Sequence, residues 1–226
     1  MQNAGSISAI GIQRAPSIPD RIADALRREI MTAELEADAP IKQSHLAARF
    51  GVSQAPVREA LNQLISEHLV MHYQNRGVRV APLVATEFEE AARLRITLET
   101  DLVKAAAERF TGDDKALAAA ALKSIGDAEN VGDLMAAHDA FHDAIYAAAA
   151  SPISHEIVRG LRARCSRYLG FMWKRLANVA LSHDEHRQLL DFVSSGNGQA
   201  AAAFMEPHIE GSTAAVLACL KDQFSR

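Results

Sequence analysis

The chain has 226 residues, 49% hydrophobic and 23% charged, with a formal net charge of −4, nine histidines and two cysteines. That length allows one or two domains with a buried core, and no apolar run reaches the roughly 18 to 20 residues of a membrane span. Cys165 and Cys219 stand far apart without CxxC or finger spacing, which excludes a disulfide framework and a thiolate metal site.

The first seventeen residues, MQNAGSISAIGIQRAPS, carry neither the compact apolar block nor the charged leader of a secretory signal. Residues 1–17 are expected to form a flexible tail, and the location is expected to be intracellular and cytoplasmic. Charge is unevenly divided. Residues 1–82 hold nine Lys/Arg against eight Asp/Glu, a net of +1, and residues 83–226 hold fifteen against twenty, a net of −5. Ala81-Pro82-Leu83-Val84-Ala85-Thr86 lies at the change and reads as an extended connector leading to a helix capped at Thr86. The expected domains are therefore 18–82 and 83–226.

In chain order, Ile22, Leu26 and Ile30 recur at helical spacing after Pro19-Asp20 and predict a helix over 20–32. Ser44 is the expected cap of a second short helix, with Leu46, Ala47 and Phe50 inward and Gly51 at its end. Ser53 caps a third, in which Pro56 falls in the first turn and Val57, Leu61, Leu64, Ile65 and Leu69 form the apolar stripe. Residues 70–73 and 78–80 read as two strands around Gln74-Asn75-Arg76-Gly77. That order predicts a winged helix-turn-helix. After residue 86, alanine-rich helical patterns run over 86–110, 113–128, 132–149, 153–178, 182–195 and 198–221, broken by turn and cap residues. The fold class is mainly α, a winged helix-turn-helix followed by an antiparallel bundle of about six helices.

A helix-turn-helix reads DNA by laying its second helix in the major groove. Arg58 could pair with guanine or a phosphate, Gln54 with an adenine edge, and Arg76 and Arg79 could reach the minor groove or backbone. The same order also suits a small interaction module whose arginines are solvated. The run Leu46 to Leu61, with its Gly51-Val52-Ser53-x-x-Pro56-Val57-Arg58-Glu59-Ala60-Leu61 core, then His68-Leu69-Val70 and Asn75-Arg76-Gly77-Val78, resembles the winged-helix domain of the GntR family of bacterial transcriptional regulators. The resemblance spans about residues 18–82 and implies DNA contacts at Ser44, Gln54, Arg58 and Gly77. Many relatives carry arginine in place of Gln54, Pro-Gly in place of Ala37-Asp38, and glycine in place of His68.

The histidines sort into groups. His45, His68 and His72 belong to the first domain. His138 and His142 lie four apart on one predicted helix, a chelating geometry. His186 and His208 fall among apolar residues of two further helices, and His183, three residues before His186, could replace a ligand. Separate, hydrogen-bonded histidines are the plain alternative. Phe141-His142-x-x-Ile145, Glu185-His186-x-x-Leu189 and Met205-x-x-His208-Ile209 resemble the all-helical ligand-binding (FCD) domain of the FadR-type branch of the same family.

Metal-binding members of that branch place an acidic residue four before the first histidine, where this chain has His138. The resemblance thus implies His138, His142, His186 and His208 as ligands, with Asp139 a weaker candidate about 100° around the helix. A nitrogen-rich set favours Zn²⁺ or Ni²⁺ over Mg²⁺ or Ca²⁺. Arg95 matches the branch's Arg-x-x-x-Glu element and could clamp a carboxylate effector, or simply pair with Glu99. Trp173 is expected to line the pocket or the core.

The resulting expectation is a regulator, not an enzyme, that binds a palindromic operator as a homodimer under control of a small organic acid held near the metal. Two other readings stay open: a metal-free regulator sensing a larger apolar effector, and a helical metallohydrolase with Glu185 as base.

Overall fold

A computed structural model describes residues 15–74, 76–175 and 183–224. The expected tail, apart from residues 15–17, lies outside the described residues, as do Asn75 and residues 176–182. Apart from β1, the helices and strands follow the predicted order: α1 (Ile18–Met31), β1 (Pro40–Ile41), α2 (Gln43–Phe50), α3 (Gln54–Ser66), β2 (Val70–Tyr73) and β3 (Gly77–Val80), then α4 (Ala85–Ala107), α5 (Gly112–Gly126), α6 (Val131–Ala147), α7 (Pro152–Arg175), α8 (His183–Ser194) and α9 (Gly198–Phe224). The chain folds into two compact units, one running to Arg27 and taking in Pro40–Arg79, the other holding Arg28–Ala39 and everything from Val80.

The first unit is a winged helix. Ile22 and Leu26 of α1 are buried with Val57, Ala60, Leu61 and Leu64 of α3, and Leu69, Val70 and Val78 close the interior from the wing side. Arg27 donates from Nε and Nη2 to the two oxygens of Glu67 at 2.7 and 2.6 Å, a bidentate tie between α1 and the end of α3. Gln63 of α3 also donates to Asp20 at 3.0 Å. The sheet has the order β1-β3-β2, with Pro40 opposite Arg79 and Ile41 opposite Val78 in an antiparallel pairing. β1 is absent from the expected elements, because two residues offer no periodicity. Its proline sits where a proline belongs, on an edge strand.

Two capping assignments change and a third holds. α2 starts after Lys42, whose extended backbone enters the helix with no side-chain cap, and Ser44 lies within the first turn. Likewise the N-cap of α4 is Val84, and Thr86 is inside the helix. Ser53 is the N-cap of α3 as expected, yet its side chain makes no capping hydrogen bond. Gly51 ends α2 in the left-handed region at φ 65°, where a residue without a Cβ is unstrained. Asp38 and His68 share that conformation, with φ 62° and 58°. The backbone there holds a glycine geometry without a glycine.

The second unit is the helical bundle. Thr111 and Asp114 cap α5 reciprocally, and the Asn130 side chain accepts from Asp133 N–H at the start of α6. α4 packs against α9 and α7, and α5 against α6 and α8. The alanine blocks serve close approach: Ala106, Ala118 and Ala201 are fully buried, and a Cβ on Gly198 would meet the Lys104 carbonyl at 2.8 Å. One apolar cluster gathers Leu102, Val103, Phe141, Ile145, Leu189 and Ile209. A second holds Phe88, Met135, Met172 and Trp173, with Phe88 stacked on Tyr168 at 4.6 Å. Among the described residues no helix is long and apolar enough to cross a membrane.

Candidate functional site

Two surfaces carry the predicted site residues. In the first unit α3 turns Val57, Ala60, Leu61 and Leu64 inward, which leaves Gln54, Ala55, Arg58, Glu59 and Asn62 on the exposed face. Ser44 is exposed on α2, and Arg76 and Gly77 are exposed at the wing, where Gly77 has φ 72°. All four expected DNA-contacting positions therefore face solvent, while Arg79 is half-buried.

In the second unit three helices converge on imidazoles. The i,i+4 spacing on α6 stacks His138 and His142 one turn apart, with ring centroids 4.8 Å apart. α8 brings His186 to 5.1 Å from His138 and 5.2 Å from His142, and α9 brings His208 to 5.1 Å from His186. One nitrogen from each of His138, His142 and His186 lies within 4.8 Å of the others. Ligands around a tetrahedral Zn²⁺ with bonds of about 2.1 Å sit about 3.4 Å apart, so a small inward closure would complete the geometry. His208 is packed beside this trio, and its Nδ1 is 2.8 Å from Glu185 Oε2. Glu185, which a hydrolase would need as a base, is occupied in orienting a histidine. His155 pairs with Asp143 at 3.2 Å and His183 with Arg187 at 2.8 Å; neither joins the trio.

The state of His142 follows from its neighbours. Tyr146 is fully buried and its hydroxyl contacts both Glu99 Oε2 and, at 3.1 Å, His142 Nδ1. Burial alone would raise the Glu99 pKa, but the charges of Arg95 and Arg162 and hydrogen bonds from Arg95 and Tyr146 outweigh it and hold the carboxyl below its usual range. Glu99 is therefore an acceptor only. A tyrosine has one O–H to give, so Tyr146 donates to Glu99 and accepts from the Nδ1–H of His142. The lone pair of His142 then sits on Nε2, which is buried and has no hydrogen-bond partner. Carboxylate, hydroxyl and imidazole in series fix the tautomer that a metal ligand would need.

Burial also keeps these rings neutral. It pushes His138 down to about 4 and His142 well below the ordinary histidine value, with the Arg162 charge reinforcing both. His208 is lowered by burial despite its Glu185 partner. Neutral imidazoles at pH 7 are competent ligands without proton loss. The donor set and the orphaned Nε2 fit a divalent ion of the zinc or nickel kind.

Arg95 is buried and its Nε donates to Glu99 Oε1 at 2.6 Å, the i,i+4 pair. Arg162, Tyr146 and the part played by Glu99 are absent from the expected site. Arg162 is 4% exposed, donates from Nη2 to Asp139 Oδ1 at 2.9 Å, and lies 3.4 Å from His138 Nδ1. Its position was readable as a charge on the apolar stripe Val158, Arg162, Cys165, Met172 of α7, and Tyr146 as the residue one turn beyond His142. Trp173 stands edge-on to His138 at 5.6 Å, with Nε1 buried and unpartnered.

Comparison with known sequences now decides the family. The model for "Bacterial regulatory proteins, gntR family" matches residues 19–80, and the FCD domain model matches residues 90–211. The chain belongs to the GntR family. This GntR protein is 29% identical over 196 residues to the HTH-type transcriptional repressor GlaR of Escherichia coli K12, an alignment covering 81% of this chain and 89% of that protein. It is 26% identical over 220 residues to the uncharacterised regulator BphR of Paraburkholderia xenovorans, covering 92% and 89%. In fold it matches E. coli McbR/YncC at a TM-score of 0.75 with 21% identity over 90% of this chain and 99% of that one. A Rhodococcus sp. RHA1 GntR structure gives 0.74 at 25% identity over 88% and 97%. The protein is thus a DNA-binding transcriptional regulator with an FCD domain, and not an enzyme.

Proposed function

We propose that this GntR regulator binds a palindromic operator as a homodimer, and that a small carboxylate effector held near a divalent metal in the FCD domain sets its operator affinity. His138, His142 and His186 are the core ligands, with His208 the fourth, and Zn²⁺ or Ni²⁺ the ion that suits all-imidazole ligation. The ion would supply a Lewis-acidic anchor for the carboxylate. Ser44, Gln54, Arg58 and Gly77 make the DNA contacts, Arg58 supplying the base or phosphate interaction. Trp173 lines the effector pocket, and Arg95 acts there through its hold on Glu99.

The observation that carries this reading is the buried His138, His142 and His186 group with the His142 lone pair held on Nε2. A hydrogen-bonded core would have no use for a buried acceptor without a donor. Full-length protein purified without an affinity tag should contain about one divalent ion per chain, lost on His142→Ala. Wild-type protein free of metal after purification, and unable to take up added zinc, would overturn the reading.

A further inference from the structure

We infer that Arg162 is the anion-binding side chain of the effector site, its Nη1 taking one oxygen of a small carboxylate beside the three histidines. The inference rests on the FCD domain holding an anionic effector, and it assigns that role to a residue on α7 rather than to Arg95 on α4.

Hydrogen-bond accounting separates the two arginines. Arg95 gives its Nε to Glu99 Oε1 at 2.6 Å, and the pair is sealed in the core, the guanidinium side chain 7% and the carboxylate 0% exposed. Arg162 spends Nη2 on Asp139 Oδ1 at 2.9 Å, with longer approaches to Nδ1 and the carbonyl of His138 at 3.4 and 3.5 Å. Its Nη1 is buried and has no hydrogen-bond partner. The nearby acceptor is Glu99 Oε2 at 3.9 Å, beyond hydrogen-bond range and already receiving the Tyr146 hydroxyl. A buried guanidinium nitrogen left in this state is a donor waiting for an acceptor.

Charge points the same way. Two buried guanidinium groups, Arg95 and Arg162, face a single fully buried carboxylate, Glu99. The second counter-charge, Asp139, has a side chain 45% exposed, where water screens it. The imidazoles of His138, His142, His186 and His208 add no negative charge. With Asp139 counted, the guanidinium and carboxylate charges balance, and a divalent ion would leave the site cationic. Trp173 Nε1 is a second buried donor without a partner, on a ring 5.6 Å from His138. The two unsatisfied N–H donors equal in number the two oxygens of one carboxylate. They do not match the larger donor demand of a phosphate.

Acetate is the probe. Its binding to full-length protein is followed by thermal shift and calorimetry, with chloride as the ionic-strength control and inorganic phosphate as a competitor, in zinc-loaded and chelator-stripped samples. Wild type should bind acetate in preference to phosphate. Arg162→Met should weaken acetate at least tenfold at unchanged zinc content, and Arg162→Lys, which retains the charge and is the milder change to the fold, should weaken it less. Acetate binding that survives Arg162→Met or is unchanged in Arg162→Lys overturns the inference, as does a wild type that ignores acetate. Arg162-dependent acetate binding in protein that takes up no zinc would support this inference while refuting the metal.

Discussion

Removing one hydroxyl, in Tyr146→Phe, tests whether the Glu99–Tyr146–His142 chain prepares the histidine for metal. The phenyl ring keeps the packing of a fully buried residue, so the perturbation is confined to two hydrogen bonds. Glu99 Oε2 loses its O–H donor, and His142 Nδ1–H loses its acceptor inside the core. A hydrogen bond to an ionised group contributes about 1.5–3 kcal/mol, so the metal-free protein should lose about 2 kcal/mol of stability. His142 is then free to carry its proton on either nitrogen, and outer-sphere substitutions of this kind weaken metal binding about 10–100-fold. Competition for zinc against a chromophoric chelator at pH 7.5 measures the affinity directly, and denaturant unfolding of stripped protein measures the stability. A folded Tyr146→Phe protein whose zinc affinity stays within about twofold of wild type would refute the relay, whatever its stability.

Three further outcomes are expected. Because burial sets the folded-state pKa of His138 at about 4, below an unfolded value of about 6.5, the unfolded chain binds protons between those pH values that the native state does not. Metal-free stability should be flat just above about pH 6.5 and fall by about 3 kcal/mol from His138 alone as pH drops through about 4, His142 adding in the same direction; a stability that rises on acidification would contradict this. Arg95→Met leaves Glu99 without its main partner in the core and should cost about 3–5 kcal/mol, read from denaturant midpoints. His68→Gly relieves a left-handed backbone at φ 58° and should raise stability by up to about 1 kcal/mol in the same assay.

The helices of both units were legible because apolar spacing and cap residues are local properties. So were the imidazoles on α6, where i,i+4 spacing alone forces a shared face. β1 was not, since Pro40-Ile41 pairs only through its partner strand. Lys42 and Val84 escaped notice as N-caps because extended backbone, rather than side-chain chemistry, starts those helices. The supporting groups of the site show in residue spacing but not in composition. α7 carries Arg159, Arg162, Arg164 and Arg167, and composition does not tell which of them the packing of α4, α6 and α7 buries; Arg162 is buried and Arg159 exposed. Likewise the Arg95–Glu99 spacing reads as an ordinary surface pair until the fold places both in the core with Tyr146 between Glu99 and His142.

The central claim is that occupancy of the histidine site governs DNA binding. A duplex selected by the wild-type protein from a random pool, labelled and titrated by fluorescence anisotropy, tests it in one experiment. The dissociation constant for that duplex should change at least tenfold, in either direction, between stripped protein and protein loaded with zinc and acetate. The change should disappear in His142→Ala, and Arg58→Ala should weaken binding in both states. An affinity indifferent to zinc and acetate in the wild type would contradict the account.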